Sequence, residues 1–127
     1  MNAVTIAQVL AQVDARLPNA WSLPDKLQWL SRVDGQAAWE VLAAYTDMPA
    51  FSGYTTATPL DTPLLLPAPW DECYLHFLEA QIHYCNGELT RYTNAMALYR
   101  AVFRSWADHY HRTHTPRSPG HFQGGSL

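Results

Sequence analysis

Trp70 to Tyr110 reads WDECYLHFLEAQIHYCNGELTRYTNAMALYRAVFRSWADHY, and the way it folds decides the architecture of the chain. Tyr74, Leu78, Gln81 and Cys85 recur at helical spacing and make one face. The spacing continues in phase through Leu89, Tyr92, Met96, Tyr99, Phe103, Trp106 and Tyr110. Two structures fit. One is a single helix of about 40 residues, roughly 60 Å long. The other is a pair of antiparallel helices broken at Asn86-Gly87, a good left-handed C-cap pair. The hairpin is preferred, because a small domain buries more apolar surface that way.

Upstream, Thr5-Ile6-Ala7-Gln8 reads as a capping box, with Ile6, Val9, Leu10, Val13 and Leu17 following at helical spacing. Pro18-Asn19 ends that helix. Ser22 is the next N-cap, with Pro24 in the first turn and Asp25 at the positive end of the dipole. Leu23, Leu27, Leu30, Ala37, Val41, Leu42 and Tyr45 then predict a second amphipathic helix over about 22–45. Gly35 lies inside it, costs roughly 1 kcal/mol relative to Ala, and marks a candidate kink.

Residues 47–69, DMPAFSGYTTATPLDTPLLLPAP, hold five of the nine prolines, and no helix survives that density. Phe51–Thr58 and Leu64–Leu66 are candidate edge strands or plain extended chain. The apolar content of the segment predicts that it packs on something. Its lack of periodicity predicts an element between subunits rather than part of the monomer core. The expected fold is therefore all-α. It is a small bundle of about four helices (residues 1–112), with a long proline-rich loop or short hairpin at 46–69 and an extended tail at 113–127.

Composition sets the outer limits. With 127 residues, 48% hydrophobic, 13% aromatic and only 15% charged, the chain is not of the disordered class. No apolar run reaches the roughly 18 residues of a membrane span. The first residues lack the basic and small-residue pattern of a secretory signal, so synthesis in the cytosol is expected. Cys73 and Cys85 then read as reduced thiols and small buried hydrophobes. The net charge of -3 conceals an asymmetry. Residues 1–90 hold ten acids against three bases, -7, and residues 91–127 hold five arginines against Asp108, +4. Such a split suits either a solvated basic face or complementarity between copies.

Glu72, His76, Glu79 and His83 fall along one helical face, the spacing from which bundle metal sites are built. Their stripe lies opposite the Tyr74 face, so a solvated or subunit-facing polar stripe is the preferred reading over a metal site. His109, His111 and His114 flank a helix end and read as caps. No G-x-S-x-G elbow and no glycine-rich phosphate loop occurs. No enzymatic role, no metal and no cofactor are expected. The chain is rich instead in Tyr, Trp and Arg, the residues that dominate protein interfaces.

The stretch Asp61-Thr62-Pro63-Leu64-Leu65-Leu66-Pro67-Ala68-Pro69-Trp70-Asp71-Glu72-Cys73-Tyr74, with the helical run after it, resembles the head–tail connector (adaptor) proteins of tailed bacteriophages. In that group a proline-bounded loop reads D-T-x-L-L-x-P-x-P-[YW]-D-E. A Tyr-rich helical region with N-x-E, R-Y and N-x-M-A-L follows, matched here by Asn86–Glu88, Arg91-Tyr92 and Asn94–Leu98. The likeness covers about residues 4–116, and the ending GHFQGGSL departs from it. It implies a small helical virion protein that forms a ring, often a dodecamer, under the portal protein. Such a ring extends the DNA channel without recognising sequence and offers a platform to the next tail or stopper protein, with no membrane involved. The expected subunit or portal contacts are Phe51, Tyr54, Leu64, Leu65, Leu66, Trp70, Arg117, His121 and Phe122. Two alternatives stand beside it. One is a cytosolic helical interaction or regulatory protein that binds nucleic acid through Arg91, Arg100, Arg104 and Arg112. The other is a metalloprotein built on the Glu72 stripe.

Overall fold

The computed structural model describes residues 3–45 and 51–117. Among them lie four α-helices and no strand: α1 (Ile6–Arg16), α2 (Leu23–Glu40), α3 (Glu72–Cys85) and α4 (Leu89–Thr113). Helix α3 is the centre. It packs on α4 along one side and on α1 and α2 along the other. Its buried residues (Cys73, Tyr74, Leu75, Phe77, Leu78, Ala80 and Ile82) therefore run most of the way round it.

The caps predicted for α1 and α2 form as hydrogen bonds. The Gln8 backbone N–H donates to Thr5 Oγ1 at 3.2 Å, and the Thr5 N–H donates to Gln8 Oε1 at 2.9 Å. Ser22 Oγ accepts from the Asp25 N–H at 3.3 Å. Helix α2 runs through Gly35 without interruption and ends at Glu40, five residues short of the expected 45. A 3₁₀ turn, Leu42–Ala44, follows it.

The hairpin between α3 and α4 is realised at the predicted residues. Gly87 has φ +75°. Its N–H donates to Tyr84 O at 3.0 Å, and the Glu88 N–H donates to His83 O at 2.9 Å. That pair of bonds is a Schellman closure, which satisfies two carbonyls that the end of α3 leaves open. Reversal of the chain here also breaks the long apolar stripe. Tyr99, Phe103 and Trp106 are buried, whereas Cys85 and Leu89 stand exposed at the tip. The expectation that both cysteines are buried is thus corrected: Cys73 is, and Cys85 is not.

The proline-rich loop departs most from expectation. Residues 60–64 lie along the start of α1. The Ile6 N–H donates to Thr62 O at 3.1 Å, the Ala7 N–H to Leu60 O at 2.9 Å, and the Leu64 N–H to Val4 O at 2.8 Å. The loop carbonyls thereby satisfy two first-turn donors of α1 that have no partner within the helix. Leu64 and Leu66 enter the monomer's own core, at 5% and 0% exposure. Both were expected at a subunit contact; here they pack within their own chain, with almost no surface exposed. Neither candidate strand forms; one isolated bridge, Thr5 to Pro63, is all that pairs.

Candidate interaction surface

The loop is held down by one acid. Asp34 falls on the buried stripe of α2, between Leu30 and Ala37, and is fully buried. Its Oδ1 accepts the Tyr74 hydroxyl at 2.5 Å, and its Oδ2 accepts both the Tyr54 hydroxyl and the Leu65 N–H, the latter at 3.1 Å. Tyr74 in turn accepts the Leu66 N–H at 2.8 Å. The Tyr54 N–H donates to Ser31 Oγ, also on α2, at 2.8 Å. Four loop groups are therefore fastened to α2 and α3 through a single carboxyl and its neighbours. Burial pushes the Asp34 carboxyl above its ordinary value, and the three donors oppose that push. Burial together with the charge of Asp34 raises both tyrosines. No acid in the core was foreseen; the signal available was a charge in phase with Leu27, Leu30, Ala37 and Val41.

So fastened, the loop leaves Leu65, Pro67 and Trp70 against the last turns of α4. They enclose a cavity of about 470 Å³ completed by Trp106, His109 and Tyr110, with Thr113 and His114 at its edge. Aromatic contacts shape it. Trp70 lies on His109 with ring centres 4.6 Å apart, and its Nε1–H donates to Ser105 Oγ at 3.3 Å. Tyr110 stacks flat on His114 at 3.7 Å and meets Tyr45 edge-on at 5.2 Å. All three histidines at this helix end enter ring packing, Tyr45 and His111 share a hydrogen bond, and His114 also serves as the expected cap, its Nδ1 3.1 Å from Tyr110 O.

A second groove, of about 510 Å³, lies between the end of α2 and α4. Val41, Phe77, Met96 and Phe103 form its floor, and Glu40, Arg100 and Arg104 stand at its rim. Arg100, Arg104 and Arg112 also line a shallow depression on the exposed side of α4, with Asp108 between them.

The structure thus divides the residues expected at an interface. Leu65 and Trp70 line the first cavity. Phe51 and Tyr54 pack edge-on, ring centres 5.1 Å apart, over α2. Arg117 is tied to its own chain, its N–H on Ala44 O at 2.9 Å and its Nη1 on Ala43 O at 3.1 Å. His121 and Phe122 lie outside the described residues, as does most of the expected tail.

The Glu72 stripe, expected to be solvated or subunit-facing, is solvated only in part: Glu72 is exposed, while Glu79 and His83 are drawn into ion pairs. Arg16 of α1 reaches Glu79 at 3.0 Å and Glu72 at 4.0 Å, and His83 pairs with Glu88 across the hairpin at 2.9 Å. Glu79 thus lies in a polar seam between α1 and α3. Among the described residues no three His, Cys, Asp or Glu side chains converge as a metal site would require. Nor is any helix there long and apolar enough to cross a membrane. No protein-family model, curated protein or solved structure matches this chain.

Proposed function

We propose that the chain is a structural, non-enzymatic connector of the head–tail type that its sequence resembles. It assembles as a ring on the portal of a tailed phage, continues the DNA channel and presents a platform to the next tail protein. The observation that carries this reading is the state of residues 61–74, the segment of resemblance. Asp34 and Tyr74 brace it internally, while Leu65, Pro67 and Trp70 remain at the mouth of an apolar cavity. A braced scaffold with an open apolar mouth is what a docking surface needs, since little ordering remains to be done on binding. A ring also requires two different adhesive patches on one subunit. Exposed Trp39 and the arginines of α4 lie apart from the cavity and supply candidates.

The test is sedimentation velocity of the full chain over a wide concentration range, followed by electron microscopy of the heaviest species. Closed rings of defined mass support the reading. A monomer throughout overturns self-assembly.

One observation favours a second reading. Arg100, Arg104 and Arg112 make no ion pair among the described residues and face solvent along α4. A nucleic-acid contact there would show as duplex DNA affinity that falls steeply with salt. A channel wall that DNA merely passes would show little affinity at physiological salt.

A further inference from the structure

We infer that Trp39 of one copy fills, on the next copy, the apolar cavity between residues 65–70 and the end of α4; this rests on the ring reading above. Trp39 is the most exposed large apolar residue described, at 83%. On α2 it stands opposite the buried stripe Leu30, Val33, Ala37 and Val41, so it projects straight away from the body. The other four tryptophans are all engaged. Trp21 and Trp29 pair edge-on, Trp70 covers His109, and Trp106 is in the core. Trp39 alone makes no ring contact or hydrogen bond among the described residues.

The cavity has the complementary character. Its volume of about 470 Å³ falls in the range of sites that enclose a small molecule. Leu65, Pro67, Trp70 and Tyr110 give it a largely apolar lining against which an indole can pack. Helix α2 contributes nothing to its wall, so a rotamer change of Trp39 does not bring the residue into its own cavity. Charge agrees in sign. Glu40, exposed and without an ion pair among the described residues, follows Trp39 in the acidic part of the chain. Arg112, likewise exposed and without an ion pair among the described residues, stands beside the cavity-lining Thr113 on the solvent side of basic α4. A knob and a socket on different surfaces of one chain make a heterologous contact, which closes into a ring when the rotation between copies allows.

The experiment uses the full chain and three variants, each checked for helicity by circular dichroism. Trp39→Ala removes the knob. Leu65→Glu and Thr113→Glu each place a charge in the socket, and Thr113 is exposed, so at least one socket variant keeps its fold. Each alone is expected to weaken self-association by at least about 30-fold, the loss typical of a central interface anchor. Mixing Trp39→Ala with a socket variant is expected to restore a one-to-one heterodimer that grows no further, because only one good knob and one good socket remain. If Trp39→Ala assembles like the unaltered chain, the inference fails and the ring reading survives. If assembly is lost but mixing restores nothing, the contact is not this knob and socket. If the unaltered chain never associates, the ring reading fails first and the inference with it. A Leu89→Ala variant checks the next most exposed large apolar residue, at the hairpin tip. Loss of assembly there, with Trp39→Ala unaffected, would transfer the knob to the tip and overturn the assignment.

Discussion

Asp34 and Tyr74 meet at 2.5 Å across forty residues of sequence, and through that contact the second helix, the third helix and the proline-rich loop become one unit. Replacing Asp34 with Ala strands two hydroxyls and the Leu65 N–H inside the protein. A loss of about 3 kcal/mol or more is expected in urea unfolding. Asp34→Asn keeps one acceptor and should lose less. Tyr54→Phe, which removes one of the three donors to Asp34, should cost about 1 kcal/mol. A neutral result for Asp34→Ala would show that the carboxyl does not hold the loop.

The same contact makes a deletion informative. Removing residues 51–58 takes away Tyr54 and its hold on both Asp34 and Ser31. The expected product is a less stable domain, with its thermal midpoint lowered by several degrees. An unchanged midpoint would mean the loop is an appendage after all.

Two acids should give opposite pH signatures. The folded value of Asp34 is raised by burial, so its contribution is largest at acid pH and is lost as pH rises through that raised value. Asp14 is held below the carboxylate norm by its hydrogen bond from Lys26, 2.8 Å away. Its contribution is present above about pH 4 and disappears as pH falls through the lowered value. Stability relative to Asp34→Asn should therefore fall with rising pH, and stability relative to Asp14→Asn should fall with falling pH. Urea titrations at several pH values read both.

Gly35 and Gly87 should respond in opposite directions. Gly35 is an interior residue of α2, and a Cβ there would meet Phe51 at 3.8 Å, an ordinary contact. Gly35→Ala should stabilise by about 0.5–1 kcal/mol through helix propensity. Gly87 sits at φ +75°, so Gly87→Ala should destabilise by about 1–2 kcal/mol, although nothing crowds the site. Thermal unfolding of the two single variants measures the difference in sign.

What the sequence by itself determined is local. The capping box at Thr5, the Ser22 cap, the Asn86-Gly87 break and the all-helical class each depend on residues within a turn or two of one another. Backbone hydrogen bonding and left-handed glycine geometry act at that range, and the sequence spells them out. Periodicity also put Tyr99, Phe103 and Trp106 on one face, because a helix presents every third or fourth residue to the same side, and they are buried although Cys85 and Leu89 in the same phase are not. What only the tertiary structure decided is how segments without periodicity are used. An extended chain bound by prolines buries whichever of its apolar side chains meet the helices, and Leu64 and Leu66 go inward while Leu65 does not. That choice was made by Asp34, thirty-one residues from Leu65, and Tyr74, eight from Leu66. A carboxyl on the apolar stripe of α2 is tolerated only because the loop delivers a hydroxyl and an N–H to it. Sequence distance hides such a bargain, since neither partner looks unusual until the two are brought together. Part of the polar stripe of α3 was hidden for the same reason: one arginine on α1 draws Glu79 into a seam between helices, while Glu72 stays exposed.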